Sequence, residues 1–160
     1  MAKRRGNHRF AIVRALFNDS ITRALLDGAL RAFADAGVPA SSVRVVEVPG
    51  AFELPVAALV LAASKRYAAI VALGCVIRGE TPHFDYVAGE AARGLQDVAL
   101  RTGVPVALGV LTTDNEAQAR ARAAKAPGAV SHTTRKRAQS NKGYEAAQVA
   151  LAMAQLRSPL

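Results

Sequence analysis

The sequence contains little cysteine and few aromatic residues. It has one cysteine, no tryptophan, three tyrosines and five phenylalanines among 160 residues. A single cysteine, Cys75, excludes an internal disulfide, and its place in an apolar run predicts a buried thiol. The few aromatic rings leave little that could stack on bases, and no recognised nucleic-acid motif is present. We therefore do not expect nucleic acid as a specific partner.

The sequence also lacks a membrane-spanning run and is poor in acidic residues. Charged residues interrupt every apolar run before it reaches the roughly 20 residues that a membrane span needs, so no membrane partner is expected. No signal-type apolar core follows the basic start, and residues 1–9 are predicted to be a solvated basic arm of a cytoplasmic protein. The 21 basic residues outnumber the 12 acidic ones, giving a net charge of +9. This charge favours anionic partners, such as phosphorylated metabolites, without choosing among them.

Apolar and amphipathic segments alternate along the rest of the chain. With 51% hydrophobic residues, residues 10–160 suit one domain with a full core. The alternation is typical of an α/β fold, a parallel sheet with helices on both faces. The predicted strands are Phe10–Leu16, Val43–Val48, Ala68–Ile77 and Val104–Leu111. The predicted helices are 21–36, 54–64, 83–101, 116–125 and 144–156, with Asp19 or Ser20 capping the first and Gly37 ending it.

The segment Gly74–Val87 carries the most chemistry. Its apolar, β-branched first part predicts the end of a buried strand, and a helical pattern starts near His83. Thr81 can cap that helix with its hydroxyl, and Pro82 suits the first helical position. The free amides of the first helical turn, next to Gly79, could hold a phosphate. A histidine exchanges protons near neutral pH, so His83 is a candidate acid–base group.

Each predicted strand is followed by a short polar, aromatic or turn-forming segment. All strands of a parallel sheet end at one edge, so these four segments should meet there. Their side chains and backbone groups suit a small polar ring compound together with an anion. The segments are Phe17–Asn18, Pro49–Glu53, Arg78–His83 and Thr112–Asn115.

One compositional break interrupts this pattern at about residues 124–140. The segment combines proline, glycine and hydroxyl residues with the basic triplet Arg135–Arg137. We predict an exposed basic loop.

Six segments in register resemble the 6,7-dimethyl-8-ribityllumazine synthase family, the penultimate enzymes of riboflavin biosynthesis. The resemblance covers Phe10 to Leu156. It implies a flavodoxin-like three-layer sandwich around a four-stranded parallel sheet, with no cofactor or metal. It also implies a homopentamer, in some members a shell of sixty subunits, with sites between neighbouring subunits; a decamer and a riboflavin synthase partner are left open. The six segments are Phe17–Asn18, Leu25–Ala29, Val48–Pro55, Gly74–Val87, Gly109–Thr113 and Asn141–Ala147.

Family members condense 5-amino-6-(D-ribitylamino)uracil with 3,4-dihydroxy-2-butanone 4-phosphate and release phosphate and water. The resemblance implies that His83 donates and accepts protons, and that Glu80, Thr81 and an adjacent subunit's Arg122 hold the phosphate. Leu108 of the neighbouring subunit would cover the pyrimidine ring, and Lys142 would lie near it. The other implied contacts to the pyrimidine and its ribityl chain come from Phe17, Asn18, Ala51, Phe52, Glu53 and the backbone of Cys75, Val76 and Ile77.

The sequence departs from the family pattern in two places. The family often has phenylalanine where this chain has Leu108, so an apolar contact remains but ring stacking is lost. The link between Arg122 and Lys142 is longer than in typical members, with Ala124 in place of a glycine.

Two other functions compete with the family's activity. A non-catalytic shell-forming or flavin-binding relative would keep the fold, but the retention of His83, Glu53 and Thr81 argues against it. A flavodoxin-like electron carrier is disfavoured by the basic charge and by the missing Ser/Thr-rich phosphate loop after the first strand.

Overall fold

Four parallel strands form the centre of the chain, as the alternating sequence pattern predicts. The computed structural model describes residues 8–124 and 141–157. Strands β1 (Phe10–Ala15), β2 (Val43–Val48), β3 (Ala69–Ile77) and β4 (Val106–Thr113) lie side by side in the order β2-β1-β3-β4. Residues 1–7 of the predicted arm and residues 125–140 of the predicted loop lie outside the described part.

Helices cover both faces of this sheet and produce the expected three-layer α/β sandwich. Helices α1, α4 and α5 pack on one face, and α2 and α3 pack on the other. Within residues 8–124 and 141–157, no helix is both long and apolar enough to cross a membrane. The helices are α1 (Asp19–Asp35), α2 (Leu54–Ala63), α3 (His83–Thr102), α4 (Glu116–Arg122) and α5 (Lys142–Ala154), with single 3₁₀ turns at Ala40–Ser42, Ala51–Glu53 and Gln155–Arg157.

The two helical layers give the sheet two separate cores. Along β1, Phe10 and Ile12 face α1 and α5, whereas Ala11 and Val13 face α2 and α3, as the two-residue period of a strand requires. The first seven residues of β3 are all buried, because β3 lies inside the sheet with helices on both faces. Its unbroken apolar run in the sequence therefore reflects two-sided burial.

Element boundaries differ from the predicted ones most clearly in β4 and α5. β4 begins and ends two residues later than predicted, because Thr112 and Thr113 still pair with the end of β3. α5 begins at Lys142 because Asn141 Oδ1 accepts a hydrogen bond from the Tyr144 amide at 3.0 Å and caps the helix. At the β4–α4 turn, Asn115 Oδ1 accepts a hydrogen bond from the Gln118 amide at 2.9 Å and caps α4.

The predicted caps of α1 and α3 are wrong. The residue before α1 is Asn18, in the left-handed conformation with φ 58°, and neither Asp19 nor Ser20 precedes the helix. Pro82 is the residue before α3 and not its first helical residue. Thr81 consequently lies one position too early, and its Oγ1 is 3.5 Å from the His83 amide, which is a weak contact.

Helices α1 and α5 approach closely because two glycines lie at their contact. A Cβ on Gly28 would collide with the side chain of Asn141, and a Cβ on Gly143 would collide with the carbonyl group of Leu25. Asn141 is 1% exposed. This contact fixes where α5 begins and therefore where Lys142 lies.

Candidate active site

The carboxyl edge of β3 extends past the end of its neighbour β1. The pairing of β1 with β3 stops at Leu73, and the side chain of Asn18 then bridges to β3, with Nδ2 donating to the Cys75 carbonyl at 2.9 Å. Alternation along a strand turns the backbone of Val76 towards β4, with which it is in register at Thr112. Of the three backbone positions expected to meet substrate, Cys75 and Ile77 therefore face the open side and Val76 does not.

The loops after β1 and β2 are joined at this same edge. The amides of Leu16 and Phe17 donate to the carbonyls of Val48 and Pro49 at 2.8 and 3.0 Å. The rings of Phe17 and Phe52 are 72% and 61% exposed. Exposed rings at a sheet edge are available to stack on a ligand or on a neighbouring subunit.

The second loop also brings a carboxylate to the edge. Glu53 is half-buried, and its Oε2 lies 3.1 Å from where a Cβ on Gly50 would be. Ala51, in the same turn, is buried and packs on the α2–α3 side of the sheet. The turn therefore combines a half-buried carboxylate with a small, buried apolar residue.

The loop between β3 and α3 presents the expected anion-binding and acid–base groups to solvent. Glu80, Thr81 and His83 are all exposed. They follow β3 directly, so His83 lies at the carboxyl edge with the loops described above. The backbone amides of the first turn of α3 and the Thr81 hydroxyl can donate hydrogen bonds to a phosphate there.

Arg78 is a contact of this loop to which the sequence assigned no role. Its guanidinium pairs with Asp114 at 3.1 Å and with Asp85 at 3.6 Å, and it lies 4.4 Å from the centre of the Phe84 ring. It therefore connects the loop before α3 with the loop after β4. Its position directly after a buried strand is the sequence signal for such a contact, since one partner carboxylate lies in the helix that follows and the other in the loop after β4.

Leu108, Arg122 and Lys142 lie away from this edge. Leu108 is the third residue of β4 and is 57% exposed. Arg122 ends α4, with Nη1 donating to the Gln118 carbonyl at 3.1 Å, and Lys142 begins α5, paired with Glu145 at 2.7 Å.

Asn141 brings the last two of these residues near each other. Its Nδ2 donates to the carbonyls of Ala123 and Ala124 at 3.3 and 3.1 Å, and to the Ala24 carbonyl at 3.1 Å. The end of α4, next to Arg122, is thereby held against the start of α5. Arg122 and Lys142 thus both lie at the junction of α4 and α5.

The thiol of Cys75 is buried at 3% exposure, as the sequence predicts. Burial raises its pKa to about 11. At pH 8 only about one thiol in a thousand is then ionised, and the thiolate is the reactive form. We expect no reaction with a chromogenic disulfide reagent in the native protein and one thiol per chain after unfolding; stoichiometric reaction of the native protein within minutes would contradict this.

The described residues contain no cluster of three or more histidine, cysteine, aspartate or glutamate side chains that could hold a metal ion. The groups that the carboxyl edge does offer are aromatic rings, a carboxylate, an imidazole, hydroxyls and backbone amides. This set can bind a polar ring and an anion and can move protons between them.

Comparison with known proteins identifies the family. The sequence profile of the 6,7-dimethyl-8-ribityllumazine synthases matches residues 7–158. A 6,7-dimethyl-8-ribityllumazine synthase from Syntrophus aciditrophicus (strain SB) is 46% identical over 148 residues, which cover 92% of this chain and 88% of the relative. The chain therefore belongs to the 6,7-dimethyl-8-ribityllumazine synthase family, whose members are transferases of riboflavin biosynthesis.

Proposed function

We propose that the carboxyl edge of the sheet is half of an active site that a neighbouring copy of the chain completes. There the chain condenses 5-amino-6-(D-ribitylamino)uracil with 3,4-dihydroxy-2-butanone 4-phosphate. The observation that carries this proposal is the meeting of the loops after β1, β2 and β3 at one edge. Backbone hydrogen bonds join the loops after β1 and β2, and the Asn18 side chain joins the first of them to the end of β3.

The loops after β1 and β2 suit the pyrimidine substrate. The exposed ring of Phe17 can stack on the pyrimidine, with Asn18 beside it. Phe52 and Ala51 line the path of the ribityl chain, and the Glu53 carboxylate accepts hydrogen bonds from its hydroxyls. The backbone groups of Cys75 and Ile77 that face the open side of β3 can bind the edge of the ring.

The loop before α3 suits the phosphate substrate. The amides around Glu80 and Thr81 and the Thr81 hydroxyl bind the phosphate, and His83 moves protons at the reacting carbon skeleton. Imine formation, phosphate elimination and ring closure each require proton transfers, so one imidazole can serve several steps. The attacking amine belongs to the substrate, and the protein need supply no nucleophile.

A neighbouring copy supplies the remaining contacts. Leu108 covers the pyrimidine, Arg122 pairs with the phosphate and Lys142 lies near the ring. Every residue of α2 is apolar or proline, and a helix that is apolar all round is normally buried. Large apolar side chains nonetheless remain exposed at or near α2, α3 and β4, namely Phe52, Val56, Val60, Tyr86, Leu100 and Leu108.

That exposed surface supports a homo-oligomer. We propose the pentamer of the family as the basic assembly, with a decamer and a sixty-subunit shell as larger forms. We also propose the cytoplasm as its location. Light scattering distinguishes these masses. A monomer at micromolar concentration would contradict the shared site.

Mixing the two substrates with the purified protein tests the activity itself. We expect lumazine absorbance and fluorescence to appear in proportion to protein concentration, with release of one phosphate per lumazine. A protein that binds the pyrimidine without forming the lumazine would be the non-catalytic relative that the sequence already disfavours.

Arg122→Ala should raise the KM of the phosphate substrate about tenfold or more, because a charge-assisted hydrogen bond to an anion is worth roughly 1.5–3 kcal/mol. The KM of the pyrimidine substrate should stay within about twofold. Steady-state kinetics with each substrate varied in turn measures the difference. Arg120→Ala, on the same helix and paired with Glu116, is the matched control, and an unchanged KM for the phosphate substrate in Arg122→Ala would contradict the assignment.

A further inference from the structure

Arg14 is the largest of the fully buried side chains in residues 8–124 and 141–157, and the proposed reaction does not use it. It lies on β1 among apolar residues and is 1% exposed. Burying a guanidinium in this way is unfavourable unless every part of its charge is paired. Such a group therefore needs a structural or functional reason for its position.

Arg14 is paired on two sides. Its Nη1 donates to Asp19 Oδ1 at 2.7 Å and to Thr22 Oγ1 at 3.1 Å, both in the first turns of α1. Its Nη2 and Nε donate to Glu47 Oε1 on β2 at 2.7 and 3.3 Å. The Arg14 side chain thus connects the start of α1 to the ends of β1 and β2 through hydrogen bonds.

The turn between the end of β1 and the start of α1 contains two of the proposed pyrimidine-binding residues, Phe17 and Asn18. Phe17 is 72% exposed, so its own side chain has little packing to hold it. Asn18 adopts φ 58°, a left-handed conformation that asparagine adopts more readily than most other non-glycine residues. The turn is held by the Asn18 bond to the Cys75 carbonyl, by the backbone hydrogen bonds of Leu16 and Phe17 to the loop after β2, and by the Arg14 contacts at the base of the turn.

The partner groups of Arg14 remain partly in solvent. The side chains of Asp19 and Glu47 are 51% and 50% exposed. The hydrogen bond from Arg14 holds the pKa of Asp19 below its usual range. Because both carboxylates can be hydrated, removing the guanidinium leaves no deeply buried charge without a partner, and an apolar side chain of similar length can fill its place.

We propose that Arg14 is a positioning residue that holds Phe17 and Asn18 in the orientation that binds the pyrimidine substrate. This inference rests on the proposed function of Phe17. A buried ion-pair network thereby affects the KM of the pyrimidine substrate and not that of the phosphate substrate. A side chain needed only for folding would lower the amount of active enzyme without separating the two KM values.

Steady-state kinetics of Arg14→Met tests this role. The KM of the pyrimidine substrate should rise about tenfold, since small displacements of a binding group have effects of this size or larger. The KM of the phosphate substrate should stay within about twofold. Arg14→Lys should restore part of the loss, because it returns one charged donor. Glu47→Gln, which keeps the arginine and weakens one of its contacts, should show a smaller change in the same direction and serves if Arg14→Met does not fold.

Arg23→Met is the matched control. Arg23 pairs with the same Asp19 at 3.3 Å, but from the surface, with its side chain 63% exposed, so neither KM should change. Phe17→Ala should raise the pyrimidine KM at least as much as Arg14→Met does. The positioning role is refuted if Phe17→Ala raises the pyrimidine KM while Arg14→Met, like Arg23→Met, changes neither KM. It is also refuted if Arg14→Met raises both KM values equally. If Phe17→Ala itself has no effect, the proposed function of Phe17 fails and the role of Arg14 fails with it.

Discussion

His83→Ala should lower kcat about 100-fold, the lower end of the range for a positioned acid–base group, and leave both KM values within about threefold. The imidazole is the proposed proton donor and acceptor, but the substrate supplies the amine nucleophile. Holding the two substrates together provides much of the acceleration without any proton transfer from the protein. The variant is therefore expected to be slow and still measurable.

Steady-state assays of lumazine formation measure this effect. His8→Ala is the matched control, because His8 precedes β1 at the opposite edge of the sheet and should leave kcat unchanged. Complete loss of turnover with intact substrate binding would mean that His83 does more than move protons. A rate equal to that of the unmodified enzyme would remove it from the mechanism.

Gly143→Ala should destabilise the protein by about 3 kcal/mol or more, because the added Cβ meets backbone that cannot move aside as a side chain would. The atoms in its way are the carbonyl oxygen, carbonyl carbon and Cα of Leu25, the last two at 2.6 and 2.8 Å. A loss of this size corresponds to roughly 6–12 °C in Tm for a domain of this length. Thermal unfolding at a fixed protein concentration measures it.

Gly89→Ala provides the comparison. Gly89 lies within α3, and no heavy atom lies within 4 Å of where its Cβ would be. Alanine is a better helix former than glycine, so this variant should gain about 0.5–1 kcal/mol. Equal Tm values for the two variants would mean that α1 and α5 do not pack as closely as described.

The sequence pattern was sufficient for the layers of the fold and for the edge that carries the site. Alternating apolar and amphipathic segments predicted the four parallel strands, and the parallel order places the end of every strand at one edge. Phe17, Glu53 and His83 were selected because each follows a strand. That reasoning uses local pattern and a topological rule, and both can be read along the chain.

Long-range packing could not be predicted in the same way. The glycines that allow α1 and α5 to touch, Gly28 and Gly143, are far apart in the chain, and nothing local in the sequence pairs them. In the sequence they stand out only through the resemblance to the family. The structure supplies the physical reason, which is close backbone contact beside the buried Asn141.

Arg14 illustrates a signal that was present but not used. Its place in β1 puts it on the same face of the strand as Phe10 and Ile12, which is a buried face, and a charge there needs partners. Its partners, Asp19 and Glu47, come from a helix and from another strand, so their convergence becomes visible only in three dimensions.

The wrong prediction of a cap at Thr81 has a different cause. Helix boundaries depend on backbone angles that residue preferences do not fix to one position.

Mixing two variants, each impaired at a different proposed group, tests whether one site is shared between neighbouring chains. Equal amounts of His83→Ala and Arg122→Ala chains are unfolded, mixed and refolded together, then assayed at a low concentration of the phosphate substrate. If His83 of one chain and Arg122 of its neighbour form one site, random assembly gives about one quarter of all sites both intact groups. A shared site should give activity near one quarter of that of the unmodified enzyme, whereas activity equal to the average of the two variants refolded separately would contradict a site shared between chains.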